Sequence, residues 1–161
     1  QTVGSEAAWD GVVEGGIRTV HAARAYLTAS PRAAADKIAV IGFSEGGNVT
    51  LWSLLENANY AAAVLMSPAT LRSARKFGLR SAGKDPRIET LTLPVLLTVG
   101  ADDMRQIRRV TSRLLAPRLS QVSQDFAFKD KYPGGHKWFH KVRPEHWRDV
   151  TAFLHCRFSH C

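Results

Sequence analysis

Several side chains in this sequence belong to the types that together turn a hydroxyl group into a nucleophile. Ser44 stands at the centre of the G-x-S-x-G pattern of residues 42–46. Asp102 and Asp103 follow an apolar run, and His136 ends a glycine-rich loop. A serine hydroxyl reacts poorly until an imidazole accepts its proton, and a carboxylate holds that imidazole in the correct tautomer. The residue types therefore predict acyl-transfer chemistry at the serine, with the histidine as base and one of the two aspartates behind it.

The residues around the serine predict a sharp turn between a strand and a helix. Residues 37–43 form an apolar, partly β-branched run, and residues 48–55 read as an apolar helix. At such a turn a serine is strained and raises its hydroxyl above the sheet edge, and we expect Gly42 and Gly46 to keep the turn free of collisions. The N–H of Glu45 would then point at the oxygen of an attacked carbonyl. An ordinary serine in a glycine-rich turn is the alternative.

Strands and helices alternate along the whole chain. The predicted strands cover residues 37–43, 60–66, 93–100 and 125–132, the last as an edge strand with one wet face. The predicted helices cover residues 7–28, the stretch from the serine to about Asn57, and residues 143–158. A further helix is predicted at 104–122, kinked or split at Pro117, and residues 69–89 are predicted to form an irregular helix. This order predicts one α/β domain over residues 1–161, with a mostly parallel sheet and flanking helices. Functional groups gather outside the carboxyl ends of such strands, where all the candidate residues fall.

Four stretches carry a family resemblance. Residues 20–27 and 36–47 resemble the corresponding region of dienelactone hydrolase-like α/β-hydrolases, residues 93–103 are similar to the acid-bearing strand and turn, and residues 132–139 resemble the histidine loop. The chain order Ser, Asp, His is also that of α/β-hydrolases. Residues 147–154 resemble the closing helix, so the likeness covers nearly the whole chain.

The resemblance implies a three-layer sandwich and selects among the candidate residues. It selects Asp103 over Asp102 as the acid and His136 over His140 as the base. Dienelactone hydrolases proper use cysteine where this chain has Ser44, as the wider esterase and peptidase relatives do. The histidine loop is also one residue shorter than the common form.

The resemblance further implies a fold that is truncated at its N-terminal side. The residues before Ser44 accommodate one helix and one strand, whereas the related enzymes have several strands before this point. Those strands include the loop whose N–H completes the oxyanion hole, and no segment here resembles it. We therefore expect one flank of the serine strand to be an unpaired, apolar edge.

The expected function is that of a serine hydrolase that cleaves an ester-type acyl bond, as a carboxylesterase or dienelactone hydrolase-like enzyme. Ser44 would attack a small-molecule ester, His136 would move the proton, Asp103 would orient His136, and the Glu45 N–H would hold the oxyanion. No metal or organic cofactor is needed. One alternative is a peptidase or thioesterase of the same fold. Another is a non-catalytic module that forms a homodimer, or binds a missing N-terminal segment, through the exposed sheet edge.

The net charge of +8 favours anionic partners by long-range attraction. The densest basic run alternates with apolar residues at helical spacing, and its arginines are Arg105, Arg108, Arg109, Arg113 and Arg118. We interpret it as the solvated face of an amphipathic helix, and we predict neither a nucleic-acid partner nor a membrane span.

The two cysteines, Cys156 and Cys161, lie in the C-terminal tail with His155 and His160. We predict no metal site there, because closed zinc sites draw their ligands from two separated segments. The sequence allows either a disulfide across the short loop or two free thiols. It does not decide the cellular compartment, although the cytoplasm is slightly favoured over secretion.

Overall fold

A computed structural model describes residues 6–57, 59–70 and 82–159. The strands are β1 (Ala39–Phe43), β2 (Ala62–Met66), β3 (Val95–Gly100) and β4 (Phe126–Tyr132). The helices are α1 (Glu6–Ala29), α2 (Glu45–Glu56), α3 (Arg105–Val110), α4 (Ala116–Val122) and α5 (Pro144–Ser159).

The four strands form one parallel sheet in the order β1-β2-β3-β4. Its two central strands come from nearly continuous apolar runs, and every residue of β3 is buried. Such runs suit strands that helices cover on both faces. The structure therefore confirms the predicted parallel sheet, with β4 at one edge and β1 at the other.

Helices cover both faces of this sheet. On one face, α1, α2 and α4 pack through Val13, Leu51 and Leu119 onto the strand residues Val40 and Val95. On the other face, Val150 of α5 packs onto Val64 and Leu96. The result is the predicted three-layer arrangement.

Within the described ranges, β1 forms hydrogen bonds with β2 alone, so its outer edge has no neighbouring strand. Ile41 lies on the α5 face of β1 beside Val64, and it is 39% exposed. The expected apolar edge is thus present in the described structure.

Several element boundaries differ from the predicted ones. β1 begins at Ala39 and not at residue 37, because Ala35–Lys37 form a 3₁₀ turn. In the irregular stretch at 69–89, residues 71–81 lie outside the described residues, and the part that follows forms 3₁₀ turns at Ala82–Lys84 and Pro86–Thr90. Alternation in β4 is confined to its second half, where Lys129 and Lys131 are the exposed residues.

The predicted irregularity at Pro117 is present as a π-helical segment, Thr111–Leu115, between α3 and α4. The Ala116 N–H donates to the carbonyl of Thr111, one residue farther back than in an α-helix. Proline has no N–H, and its ring would collide with the carbonyl four residues earlier, which belongs to Arg113. The wider turn therefore accommodates the proline without ending the helix.

Candidate active site

Ser44 is the single residue between β1 and α2, and its backbone is strained. Its φ is 54° and its ψ is −119°, a combination that costs a non-glycine residue about 1–3 kcal/mol. Three backbone hydrogen bonds hold it there. The Ser44 N–H donates to the carbonyl of Met66 at 3.0 Å, and the Ser44 carbonyl accepts from Asn48 at 3.1 Å and from Ala69 at 2.9 Å.

The glycines beside Ser44 have unequal roles. A Cβ on Gly42 would lie 2.3 Å from both the Gly46 carbonyl oxygen and Thr50 Oγ1, so this position requires glycine. A Cβ on Gly46 would meet no atom of the described residues within 4 Å. Among the described residues, the prediction that glycine at position 46 prevents a collision is therefore wrong. Sequence reasoning missed Gly47, where a Cβ would lie 3.0 Å from Pro68.

His136 reaches the serine from the loop after β4. It begins a 3₁₀ turn, His136–His140, and its Nε2 lies 2.7 Å from Ser44 Oγ. The loop backbone is bound to the end of β3, since the Asp102 N–H donates to the carbonyl of Gly134 at 3.1 Å. A Cβ on Gly100 would lie 2.5 Å from that same carbonyl oxygen, so this close approach requires glycine at the end of β3.

Asp103 lies behind His136, and its side chain has no exposed surface. Its Oδ1 and Oδ2 are 3.0 and 3.2 Å from His136 Nδ1. Oδ1 also accepts the N–H of Met104 at 2.6 Å, so the carboxylate both holds the start of the following helix and contacts the imidazole. Asp102 is exposed, and His140 packs edge-on against Phe43 without joining this chain of hydrogen bonds.

The hydrogen-bond partners suit one neutral tautomer of His136. An ionised carboxylate can only accept, so Asp103 suits a proton on Nδ1. The Nε2 of that neutral tautomer is an acceptor, to which the Ser44 hydroxyl can donate. This arrangement can remove the serine proton when a carbonyl carbon is attacked.

Glu45 begins α2, and its side chain is engaged within the first turn. Its Oε1 accepts from Asn48 Nδ2 at 2.9 Å, so the carboxylate has a partner on its own helix. The backbone N–H of Glu45 lies at the positive end of the helix dipole, next to the serine.

Aromatic rings pack between the histidine loop and α5. His146 of α5 is 3% exposed and has the rings of Tyr132, Trp138, Phe139 and Trp147 around it. Its Nε2 lies 3.4 Å from Thr98 Oγ1, and burial lowers its pKa. His146 is therefore a packing residue that the sequence analysis did not single out. The feature of the sequence that could have indicated its burial is its position one helical turn before Val150, which is buried on the same helix.

A metal site and a membrane span would each require particular features in the described ranges. Among residues 6–57, 59–70 and 82–159, no group of three or more His, Cys, Asp or Glu side chains could hold a metal ion. His160 and Cys161 lie outside those ranges. No described helix combines the length and apolar composition that crossing a bilayer requires.

No family model and no curated protein matches this sequence, whereas solved structures do. An esterase of Pyrococcus furiosus superposes with a TM-score of 0.66 at 19% identity, over 88% of this chain and 60% of the esterase. Acyl-protein thioesterase 2 of Zea mays gives 0.59 at 24% identity, over 88% of this chain and 66% of that protein. A dienelactone hydrolase of Klebsiella pneumoniae gives 0.64 at 21% identity, over 86% and 59%.

The identities in these comparisons are low, and the lengths differ. The chain spans less than two thirds of each of the three proteins. Each superposition covers most of this chain, including its parallel four-stranded sheet. The predicted fold is thus confirmed: the chain has the fold of the α/β-hydrolases, over part of the length that these proteins have.

Proposed function

We propose that this chain carries the reacting residues of a serine hydrolase that cleaves carboxylic esters. The observation that carries the proposal is one unbroken chain of hydrogen bonds. It runs from Ser44 Oγ to His136 Nε2 at 2.7 Å, and from His136 Nδ1 to Asp103 Oδ1 at 3.0 Å. The three groups stand on three different loops, each outside the carboxyl end of a parallel strand, where α/β folds place their chemistry.

The proposed reaction has two halves. Ser44 Oγ attacks the ester carbonyl carbon while its proton passes to His136 Nε2, and Asp103 stabilises the imidazolium that forms. The imidazolium then returns the proton to the departing alkoxide, which leaves an acyl group on the serine. In the second half His136 takes a proton from water, the hydroxide attacks the acyl group, and Ser44 regains its proton as the acid leaves.

The tetrahedral intermediate needs donors for its negative oxygen. We assign the backbone N–H of Glu45 to this role, because it directly follows the nucleophile and lies at the positive end of α2. Its carboxylate is engaged with Asn48, which supports a role for the backbone and not for the side chain. Loss of one oxyanion donor typically lowers turnover by about 10²–10³-fold, so a site with this donor alone is expected to turn over slowly.

A fluorophosphonate probe tests the proposal independently of the natural substrate. We expect covalent labelling of Ser44 and complete loss of the label in Ser44→Ala. The label should fall strongly in His136→Ala, because the hydroxyl then has no base. Ser120→Ala is the control, since Ser120 is an exposed serine on α4, and it should be labelled like the wild type. Folded protein that takes no label at Ser44 contradicts the proposal.

Acyl thioesters are a second substrate class for the same residues. The likeness to the Zea mays thioesterase supports it, and the same serine and histidine suffice for a thiolate leaving group. A panel of p-nitrophenyl esters, acyl thioesters and aminoacyl amides with one common acyl chain separates the classes by kcat/KM.

A further inference from the structure

A groove of about 370 Å³ runs along the outer side of α3, directly behind Asp103. Its lining residues are Asp103, Arg105, Arg108, Arg109, Ser112 and Arg113. The four arginines are exposed, whereas Ile107, on the opposite side of the same helix, is buried. The groove therefore concentrates four guanidinium groups in one concave site.

Among the described residues, the groove arginines lack the carboxylate partners that some other arginines have. Arg87, Arg118 and Arg157 each pair with a carboxylate. None of the four groove arginines pairs with a carboxylate among the described residues. Like charges three and four residues apart repel one another on a helix surface, by about 0.2–0.5 kcal/mol per pair. The cluster thus costs folding stability unless an anion neutralises it.

The groove and the candidate site share Asp103. The carboxylate lies against the groove, but it has no exposed surface and is engaged by His136 and Met104. It stands two hydrogen bonds from the Ser44 hydroxyl. The groove and Ser44 thus lie at the same carboxyl end of the sheet, with Asp103 and His136 between them.

We propose that the groove binds a group of the substrate that bears two or more negative charges, a phosphate or a pair of carboxylates. This inference rests on the proposed ester hydrolysis and specifies its substrate class. Planar guanidinium groups match the oxygens of phosphate and carboxylate with paired, charge-assisted hydrogen bonds. A single negative charge would leave most of the cluster unneutralised.

Binding to the Ser44→Ala protein tests the anion site without turnover. Pyrophosphate and tricarballylate, titrated separately by calorimetry, represent phosphate and clustered carboxylates. We expect the double variant R108Q/R109Q to bind them at least about tenfold more weakly, since each charge-assisted hydrogen bond is strong. The control R32Q/R148Q removes the same charge from two other exposed arginines and should bind like the parent. Equal weakening in both variants, or no binding by the parent, overturns the inference.

Kinetics then separates this inference from the proposed function. The substrates are two p-nitrophenyl esters whose acyl chains end in a phosphate or in a hydroxyl. We expect the wild type to prefer the phosphate ester in kcat/KM, and R108Q/R109Q to lose only that preference. If the hydroxyl ester is hydrolysed and the phosphate brings no preference, the anion site is wrong and the hydrolase stands. If the anions bind through the arginines and neither ester is hydrolysed, the anion site stands and the proposed hydrolysis is wrong.

Discussion

Ser44 keeps its strained backbone because the residues around it leave no relaxed alternative. Its N–H and carbonyl are bound to β2, to α2 and to the segment after β2. The neighbouring Gly42 allows the α2 backbone to approach to a distance that no Cβ could tolerate. The conformation of the serine is thus a property of its neighbours more than of the serine itself.

The two glycines of the G-x-S-x-G pattern should respond differently to alanine. Gly42→Ala places a Cβ 2.3 Å from the Gly46 carbonyl oxygen, so we expect it to lower the free energy of unfolding by several kcal/mol or to prevent folding. Gly46→Ala meets nothing within 4 Å and lies in the first turn of α2. There alanine should raise stability by up to about 1 kcal/mol.

Urea denaturation of the two variants beside the wild type measures this contrast. Equal destabilisation by both substitutions would contradict the open space at Gly46. A Gly42→Ala protein as stable as the wild type would contradict the close approach at the turn.

The candidate residues were accessible from the sequence to different degrees. Ser44 and His136 stood out by their glycine-rich surroundings, and the structure brings them together with Asp103. The residue pattern alone left Asp102 and Asp103 open, because both follow the same strand. The tight contact of Gly47 with Pro68 could not be predicted, since it depends on how the loop after β2 returns over α2.

At the level of elements, the position of His136 depends on how its loop packs on α5. The buried His146 fills the centre of that contact, with aromatic rings on several sides. A charge in such surroundings has few compensating groups. Asp149 and Glu145 favour the protonated form, but desolvation outweighs them and lowers the pKa of His146.

His146 should make the folded state sensitive to acid. Burial lowers its pKa below the ordinary 6.5, so both states are neutral above that pH and no penalty exists there. As the pH falls below 6.5, the unfolded chain binds a proton that the folded chain excludes, and stability is lost. In His146→Gln this part of the loss should disappear.

Urea midpoints of both proteins across the range from about pH 8 to about pH 5 check this expectation. The compared quantity is the slope of the urea midpoint against pH, so a destabilisation by the glutamine that is the same at every pH does not affect it. Every other residue is the same in both proteins, so its contribution cancels in the comparison. Parallel curves would show that His146 is not responsible.

The order and type of most elements could be predicted, because they follow from runs of apolar residues. The π-helical segment could not, although Pro117 marked its place. A proline shows that the hydrogen-bond pattern must change, but the burial of Leu115 and Leu119 on one face decides that the helix continues with a wider turn. The arginine groove was equally hidden, since spacing alone does not distinguish a solvated face from a concave one.

At the scale of the molecule, the outer edge of β1 is the feature that bears on association. In the described structure its backbone groups face no other strand, and Ile41 adds an exposed apolar side chain. Edges of this kind pair readily with other chains. This edge is also where the non-catalytic alternative, a module that binds a second copy or another segment, would make its contact.

Ile41→Lys should reduce self-association without unfolding the protein. Lysine on an edge strand opposes pairing by its charge, and a partly exposed position should lose less than about 1 kcal/mol of stability. Val142→Lys is the control, because Val142 is 79% exposed and lies in the loop before α5, outside the sheet. Light scattering over a concentration series should show association for the wild type and the control, and less for Ile41→Lys. Monomers at every concentration for all three proteins would count against the module.

The hydrogen bonds of Ser44 to the sheet have a consequence for how the protein responds to heat. The serine is tied to Met66 of β2, and the histidine loop is tied to the end of β3 through Gly134 and Tyr132. These hydrogen bonds join both segments to the ends of the strands. If Ser44 reacts as proposed, we expect its labelling by the fluorophosphonate probe to be lost in the same thermal transition as the sheet.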